Sequence, residues 1–284
     1  MLLAMAVSGC TSADASAGTE NTKDMTTDHT SAAPDTASAR VRVETTMGSF
    51  TVLLYGDTPK HRDNFLKLAS EGYYDGTLFH RVIRDFMVQA GDPDSKTAKP
   101  GQALGAGGPD YRIDAEIVFP AHYHKRYTLA AARQGDQVNP EKKSSGSQFY
   151  VVTGQKVPEA QLAQMEQHMV NTHKQNLFND LAREHMEEIR ALQVEGNRNG
   201  LNALRDSLVS QMEAKYATDP IALTQQIRQD YTTIGGAPHL DGAYTVFGEV
   251  VEGKDVIDKI EQAETDGRDR PREDVRIISM KVLK

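Results

Sequence analysis

Apolar and polar positions alternate with a period of two where the foldable part of the chain begins. Val41 and Val43 alternate with polar neighbours, Thr46-Met47-Gly48-Ser49 supplies a turn, and Phe50, Val52 and Leu54 alternate again, which predicts a β-hairpin. Asp57-Thr58-Pro59 then reads as a helix start, with a capping residue and proline at the first helical position. Phe65, Leu68 and Ala69 fall on one face of that helix, and Gly72 closes it. Strand-like runs recur at 77–83, 86–90, 127–132, 147–153 and 244–251, a short helix near 254–263 buries Val256, Ile257 and Ile260, and a last strand spans about 274–283. Many strands with two short helices predict a mainly β fold, a closed barrel with helical caps.

The period changes at 156–233. The composition shifts to Gln, Glu, Met, Leu, Ala, Lys and Arg, and Phe178, Leu181, His185, Ile189 and Leu192 recur at three- and four-residue spacing, as do Leu201, Leu204, Leu208, Met212 and Tyr216. This pattern predicts three or four amphipathic helices packed as a hairpin or small bundle, with Asp219-Pro220 opening the last of them. Met165, Met169, Met186 and Met212 on these helices fit either ordinary helix packing or an adaptable binding surface. Strand chemistry resumes at Gly235. The barrel is therefore expected in two parts, 41–155 and 234–284, interrupted by an α-helical subdomain at 156–233.

The N-terminal segment carries a different signal. Residues 11–40 are rich in Ser, Thr, Ala and Asp with almost no large apolar side chain, so they are expected to form a disordered tether. Residues 1–10 end in Val7-Ser8-Gly9-Cys10, which reads like a bacterial lipobox with Cys10 as the lipidated residue, although no Lys or Arg precedes it. The expected location is extracytoplasmic, in the bacterial cell envelope or periplasm, tied to a membrane by lipid alone. Cys10 is the single cysteine of the 284 residues, so no internal disulfide can form. The net charge of −8 argues against nucleic acid as the main partner, because phosphate binding needs a basic surface.

Candidate chemistry concentrates in two stretches. Phe79–Asp92, FHRVIRDFMVQAGD, sets a cation, Arg81, among Phe79, Phe86, Met87 and Gln89. Ser144–Val152, SSGSQFYVV, adds Gln148, Phe149 and Tyr150. A cation framed by aromatics, a thioether and amides has no nucleophile, acid/base pair or metal cluster. It suits a site that holds an apolar ring and donates hydrogen bonds. Phe79 and Phe149 fit the core better than the site. Gly105-Ala106-Gly107-Gly108 lacks the strand-before, helix-after context of a phosphate loop and reads as a barrel loop. His122-Tyr123-His124 has no nearby Cys or carboxylate cluster to complete a metal site.

Tyr73–Ile83, YYDGTLFHRVI, and Phe86–Asp92, FMVQAGD, resemble the core motifs of the cyclophilins, the peptidyl-prolyl cis-trans isomerases that bind cyclosporin. Leu129–Arg133, Ser147–Tyr150 and His239–Gly248 resemble further segments of that family, in the same order along 41–155 and 234–284. The resemblance implies an eight-stranded antiparallel barrel capped by two helices. It implies Arg81 and Gln89 as catalytic residues, and Phe86, Met87, Ala132, Arg133, Gln148, Tyr150, Leu240 and Tyr244 as substrate-binding residues. It implies no cofactor and no metal. The partners it implies are proline-containing segments of unfolded or partly folded proteins, here exported ones, with the chain acting as a monomer. Tyr150 stands where many members carry Phe, Tyr244 where His is common, Arg133 where Asn is frequent, and His239 where cyclosporin-sensitive members carry Trp. The alternative is a non-catalytic peptide-binding chaperone that uses the groove and the helical insertion.

Overall fold

The computed structural model describes residues 37–283. Cys10, the signal at 1–10 and residues 11–36 of the expected tether lie outside the described residues. The hairpin forms as β1 (Ala39–Thr45) and β2 (Gly48–Leu54), paired from Ala39–Leu54 to Thr45–Gly48. It starts two residues ahead of Val41, because the backbones of Ala39 and Arg40 pair across the hairpin although their side chains add nothing to the apolar alternation. Val41, Val43, Phe50, Val52 and Leu54 are all buried. Helix α1 (Pro59–Ser70) follows, with Thr58 as its N-cap residue, Pro59 in its first turn and Gly72 at φ 67 just past its end.

The remaining strands are β3 (Arg81–Ile83), β4 (Met87–Ala90), β5 (Arg112–Ile113), β6 (Thr128–Ala131), β7 (Ser144–Ser145), β8 (Phe149–Val152), β9 (Val246–Glu252) and β10 (Ile277–Leu283). Eight of the ten strands form one antiparallel sheet in the order β10-β1-β2-β9-β6-β8-β4-β3, and β5 pairs with β7 apart from it. The sheet curls but stays open, which corrects the expected closed barrel: β10 and β3 end the order and share no ladder. The seam is spanned ahead of both strands. Gly76 and Phe79 donate their N–H groups to the carbonyls of Ile277 and Val275, and Ile277 N–H donates to Thr77 O. Residues 71–76 are turns, with Gly72 and Gly76 at positive φ. Residues 76–79 pair with 275–277 through these bonds and a single bridge, Leu78 to Arg276, and only 81–83 of that apolar run joins a ladder.

The main core lies inside the curl and is closed by α1 and α6 (Lys254–Glu261), which contribute Phe65, Leu68, Val256, Ile257 and Ile260. Phe79 and Phe149 belong to this core.

Between β8 and β9 stand four helices: α2 (Glu159–Glu184), α3 (Met186–Val194), α4 (Arg198–Thr218) and α5 (Gln225–Thr233). The apolar run through His185 is broken there, since His185 ends α2 and precedes α3. Asp219-Pro220 opens no helix. Asp219 caps the end of α4, and α5 begins at Gln225 with the Thr224 side chain accepting from Ile227 N–H. Two small cores hold this arm. Near the sheet, Val157, Leu162, Leu223, Ile227 and Tyr231 are buried together with Phe119, Tyr123, Met165 and Met169 packed against them. Farther out, Leu181, Leu208 and Met212 are buried between α2 and α4. No residue of α3 is buried, and Met186 and Val194 are 45% and 85% exposed. A fully buried apolar side chain contributes roughly 1.5–3 kcal/mol, so the arm is held firmly at its base and weakly at its tip.

The arm leaves and re-enters through a narrow neck. Gly236 N–H donates to Gln155 O, Arg126 N–H to Gly235 O, and Ala237 N–H to His124 O. A Cβ on Gly154 would sit 2.1 Å from Gly236 O, and one on Gly236, which has φ 154, would sit 2.2 Å from His124 O. Backbone meets backbone there, so no flexible side chain can yield. Gly236→Ala is expected to lower the unfolding free energy by about 2–4 kcal/mol, read from urea denaturation. A change within about 0.5 kcal/mol would mean that the neck has slack.

Candidate active site

The site is built on one row across the sheet. Arg81 on β3 lies opposite Gln89 on β4, Gln89 opposite Tyr150 on β8, and Tyr150 opposite Ala130 on β6. Side chains of a strand alternate between faces. The neighbours Val82, Val88, Val151 and Leu129 therefore go to the main core, while Met87, Ala130, Tyr150, Val152 and Val246 form a second cluster on the other face. Phe86, Ala132, Leu240 and Tyr244 pack against that second cluster. Phe86 follows a tight turn in which Asp85 takes φ 62 and Phe86 N–H donates to Ile83 O.

The result is a cavity of about 370 Å³ lined by nine of the expected site residues: Arg81, Phe86, Met87, Gln89, Ala132, Arg133, Tyr150, Leu240 and Tyr244. Gln148 lines an adjoining cavity of about 300 Å³, which shares Gln89, Ala132 and Arg133 with the first.

Polar groups around the cavity differ in how far they are committed. Arg81 Nε lies 3.6 Å from Asp269 Oδ2, an ion pair longer than a hydrogen bond, with both side chains nearly half exposed. Gln89 Nε2 donates to Gln148 Oε1 at 2.9 Å, and Gln148 Nε2 donates to Gly105 O at 3.0 Å and Gly107 O at 2.7 Å. Both amide hydrogens of Gln148 are thus spent on holding the 105–107 loop. Ala132 N–H donates to Gln148 O, and its carbonyl accepts from Ser145 N–H. Arg133 Nε donates to Ala243 O at 2.9 Å, and its guanidinium lies 4.3 Å from the Tyr244 ring centroid, so this side chain props the 243–244 segment. His239 lies beside Phe86, ring centroids 5.2 Å apart. His122 and His124 have separate partners, Asp57 and Asp241, and among the described residues no group of three metal-ligating side chains occurs.

Several lining residues carry no signal in the sequence pattern. Gln102–Gly105, Asp266, Arg268 and Arg270 come from loops without periodicity. Arg270 is buried and donates to Lys99 O and Gln102 O, pinning one loop over the cavity with another. His80 is the other omission. It adjoins Arg81 in sequence, lines the cavity and is 4% exposed, and neither ring nitrogen has a hydrogen-bond partner. Burial lowers its pKa from 6.5 to about 4, against a smaller opposing effect of Asp92.

A lowered folded-state pKa means that the unfolded chain binds more protons between about pH 4 and 6.5. His80 therefore costs no stability above pH 6.5, and stability falls as the pH drops from 6.5 to about 4. The size is about 3 kcal/mol. In His80→Gln, urea unfolding measured from pH 7 to 4.5 is expected to show a shallower loss. An unchanged slope would remove His80 as its source.

Known proteins similar to this chain share one family description. A family model described as cyclophilin type peptidyl-prolyl cis-trans isomerase/CLD matches residues 40–211 and 218–282. A putative peptidyl-prolyl cis-trans isomerase of Staphylococcus saprophyticus is 30% identical over 244 residues, covering 85% of this chain and 90% of the relative. A putative bifunctional phosphatase/peptidyl-prolyl cis-trans isomerase of Streptococcus pyogenes is 30% identical over 247 residues, 86% of this chain, but this chain spans only 38% of that relative's length. The crystal structure of a Cryptosporidium parvum cyclophilin type isomerase superposes with a TM-score of 0.50 at 20% identity, covering 87% of this chain and 99% of that one, a likeness of fold alone.

Proposed function

The chain belongs to the cyclophilin-type peptidyl-prolyl cis-trans isomerase family, and from that premise we propose that Arg81 and the apolar cavity beside it catalyse rotation about X-Pro bonds in exported proteins. Amide resonance sets the rotation barrier at about 18–20 kcal/mol, so catalysis requires the twisted amide to be bound more tightly than either planar form. In the twisted form the proline nitrogen regains a lone pair. A guanidinium, always charged and rigidly forked, stabilises that nitrogen and the neighbouring carbonyl. Phe86, Met87, Tyr150 and Leu240 hold the pyrrolidine ring while the rest of the peptide turns. No proton leaves and no covalent bond breaks.

The observation that carries this reading is the row Arg81–Gln89–Tyr150, which brings the one cation of that row beside an apolar socket. The Asp269 contact is loose enough for Arg81 to give it up to a substrate. In the same reading the enzyme acts as a monomer in the cell envelope, held by lipid on Cys10, and assists the folding of exported chains. The lipobox-like Val7–Cys10 and the polar 11–40 segment support that location. No helix among the described residues is long and apolar enough to cross a membrane.

For a short X-Pro peptide, Arg81→Ala is expected to lower kcat/KM by about 100-fold or more, the range for loss of a charge-stabilising donor, with thermal unfolding unchanged. Full activity in that variant would end the role given to Arg81. A folded wild type without acceleration would favour a groove that holds clients instead. Cyclosporin titration should show weak inhibition, because His239, whose ring lies beside the cavity residue Phe86, stands where cyclosporin-sensitive members carry Trp. Stoichiometric inhibition would contradict this.

A further inference from the structure

One chain of buried hydrogen bonds runs from the inserted helices to the cavity. Tyr231 on α5 is fully buried, and its hydroxyl donates to Asp241 Oδ2 at 2.6 Å. Asp241 Oδ1 accepts from His124 N–H at 2.8 Å and lies 2.9 Å from His124 Nδ1. His124 Nε2 lies 3.0 Å from the Tyr150 hydroxyl. A carboxylate only accepts, so Nδ1 carries a proton. In the neutral ring Nε2 is then an acceptor, and the Tyr150 hydroxyl donates to it. The side chains of His124 and Asp241 are 1% and 0% exposed, so water does not substitute for a lost partner.

Both ends of this chain matter for the cavity. Tyr150 is a wall whose hydroxyl is committed to His124, and Leu240, another wall, immediately precedes Asp241. The other end is anchored. Tyr231 belongs to the arm's basal cluster, its carbonyl accepts from Val157 N–H, and the neck sets Gly236 against both His124 O and the Tyr231 ring.

We infer that Tyr231, a residue of the helical insertion, is a positioning residue for the isomerase: through Asp241 and His124 it holds the Tyr150 ring and the Leu240 segment in place. The insertion is then part of the support of the site, not a spacer beside it. Without the Tyr231 hydroxyl, Asp241 Oδ2 loses a buried partner and the carboxylate is free to turn. His124 then loses its fixed tautomer, and Tyr150 its acceptor. This inference rests on the pocket reading proposed above.

The test compares wild type, Tyr231→Phe, Tyr150→Phe, the double variant and Leu208→Ala. The last loosens the arm in its outer cluster, away from the hydrogen-bond chain. Three readouts apply: kcat/KM on an X-Pro peptide, thermal unfolding, and ¹⁵N NMR of the His124 ring with the Tyr150 ring resonances. Tyr231→Phe is expected to lower kcat/KM by roughly 5- to 10-fold, the scale of coupling within one hydrogen-bond network. Its effect should shrink in the Tyr150→Phe background, where only the Leu240 route is left, and it should shift the His124 nitrogens away from a single Nδ1–H form. Leu208→Ala should lower the unfolding temperature and leave kcat/KM unchanged. Asp241→Asn should reproduce the Tyr231→Phe pattern, and it serves if Tyr231→Phe folds poorly. Unchanged kcat/KM in Tyr231→Phe, or effects that multiply in the double variant, would overturn the inference. The reading beneath it fails separately: full activity in Arg81→Ala ends that reading, whereas unmoved His124 and Tyr150 resonances in Tyr231→Phe end this inference whatever the activity.

Discussion

The two-residue period of the strands, applied to four strands in register, is the constraint from which the site follows. Val82, Val88, Val151 and Leu129 lie on one face and fill the core, so Arg81, Gln89, Tyr150 and Ala130 must share the other. A slip of one residue in any of the three ladders would exchange the sets, burying a guanidinium and exposing valines. Core burial therefore fixes the site register.

The same register explains how the fold carries a long insertion. The arm departs after β8 and returns before β9, and Gly154 and Gly236 bring the two crossing segments into backbone contact. The ends are held together by the sheet, so the length of chain between them adds little closure cost, which grows only logarithmically. Packing then decides where the arm is firm. Val157, Leu162, Leu223, Ile227 and Tyr231 make its base continuous with the 119–124 segment, while Met186 and Val194 at its far end stand in solvent. Firmness is therefore greatest where the arm touches the residues behind the cavity.

Polar groups around the cavity divide into those spent on structure and those left uncommitted. Gln148, Arg133 and Arg270 hold loops through backbone carbonyls. His80 is buried without any partner, an arrangement that favours its neutral form beside the Arg81 cation. Arg81 keeps a loose ion pair.

The sequence by itself determined what depends on local periodicity and side-chain type. The hairpin of Val41, Val43, Phe50, Val52 and Leu54, the helix opened by Pro59, the helical character of the insertion, and the grouping of Arg81, Phe86, Met87, Gln89 and Tyr150 were all legible, because each is a short-range pattern or a family motif. Tertiary structure decided the rest. Whether the sheet closes depended on how 76–79 meet 275–277, segments about two hundred residues apart in sequence. That Gln148 would bind a loop and that His80 would be buried unpaired depended on neighbours brought from distant segments. Tyr231, Asp241, His124 and Tyr150 form a chain only because a helix, a turn, a loop and a strand converge behind one cavity, and no spacing along the sequence encodes that convergence.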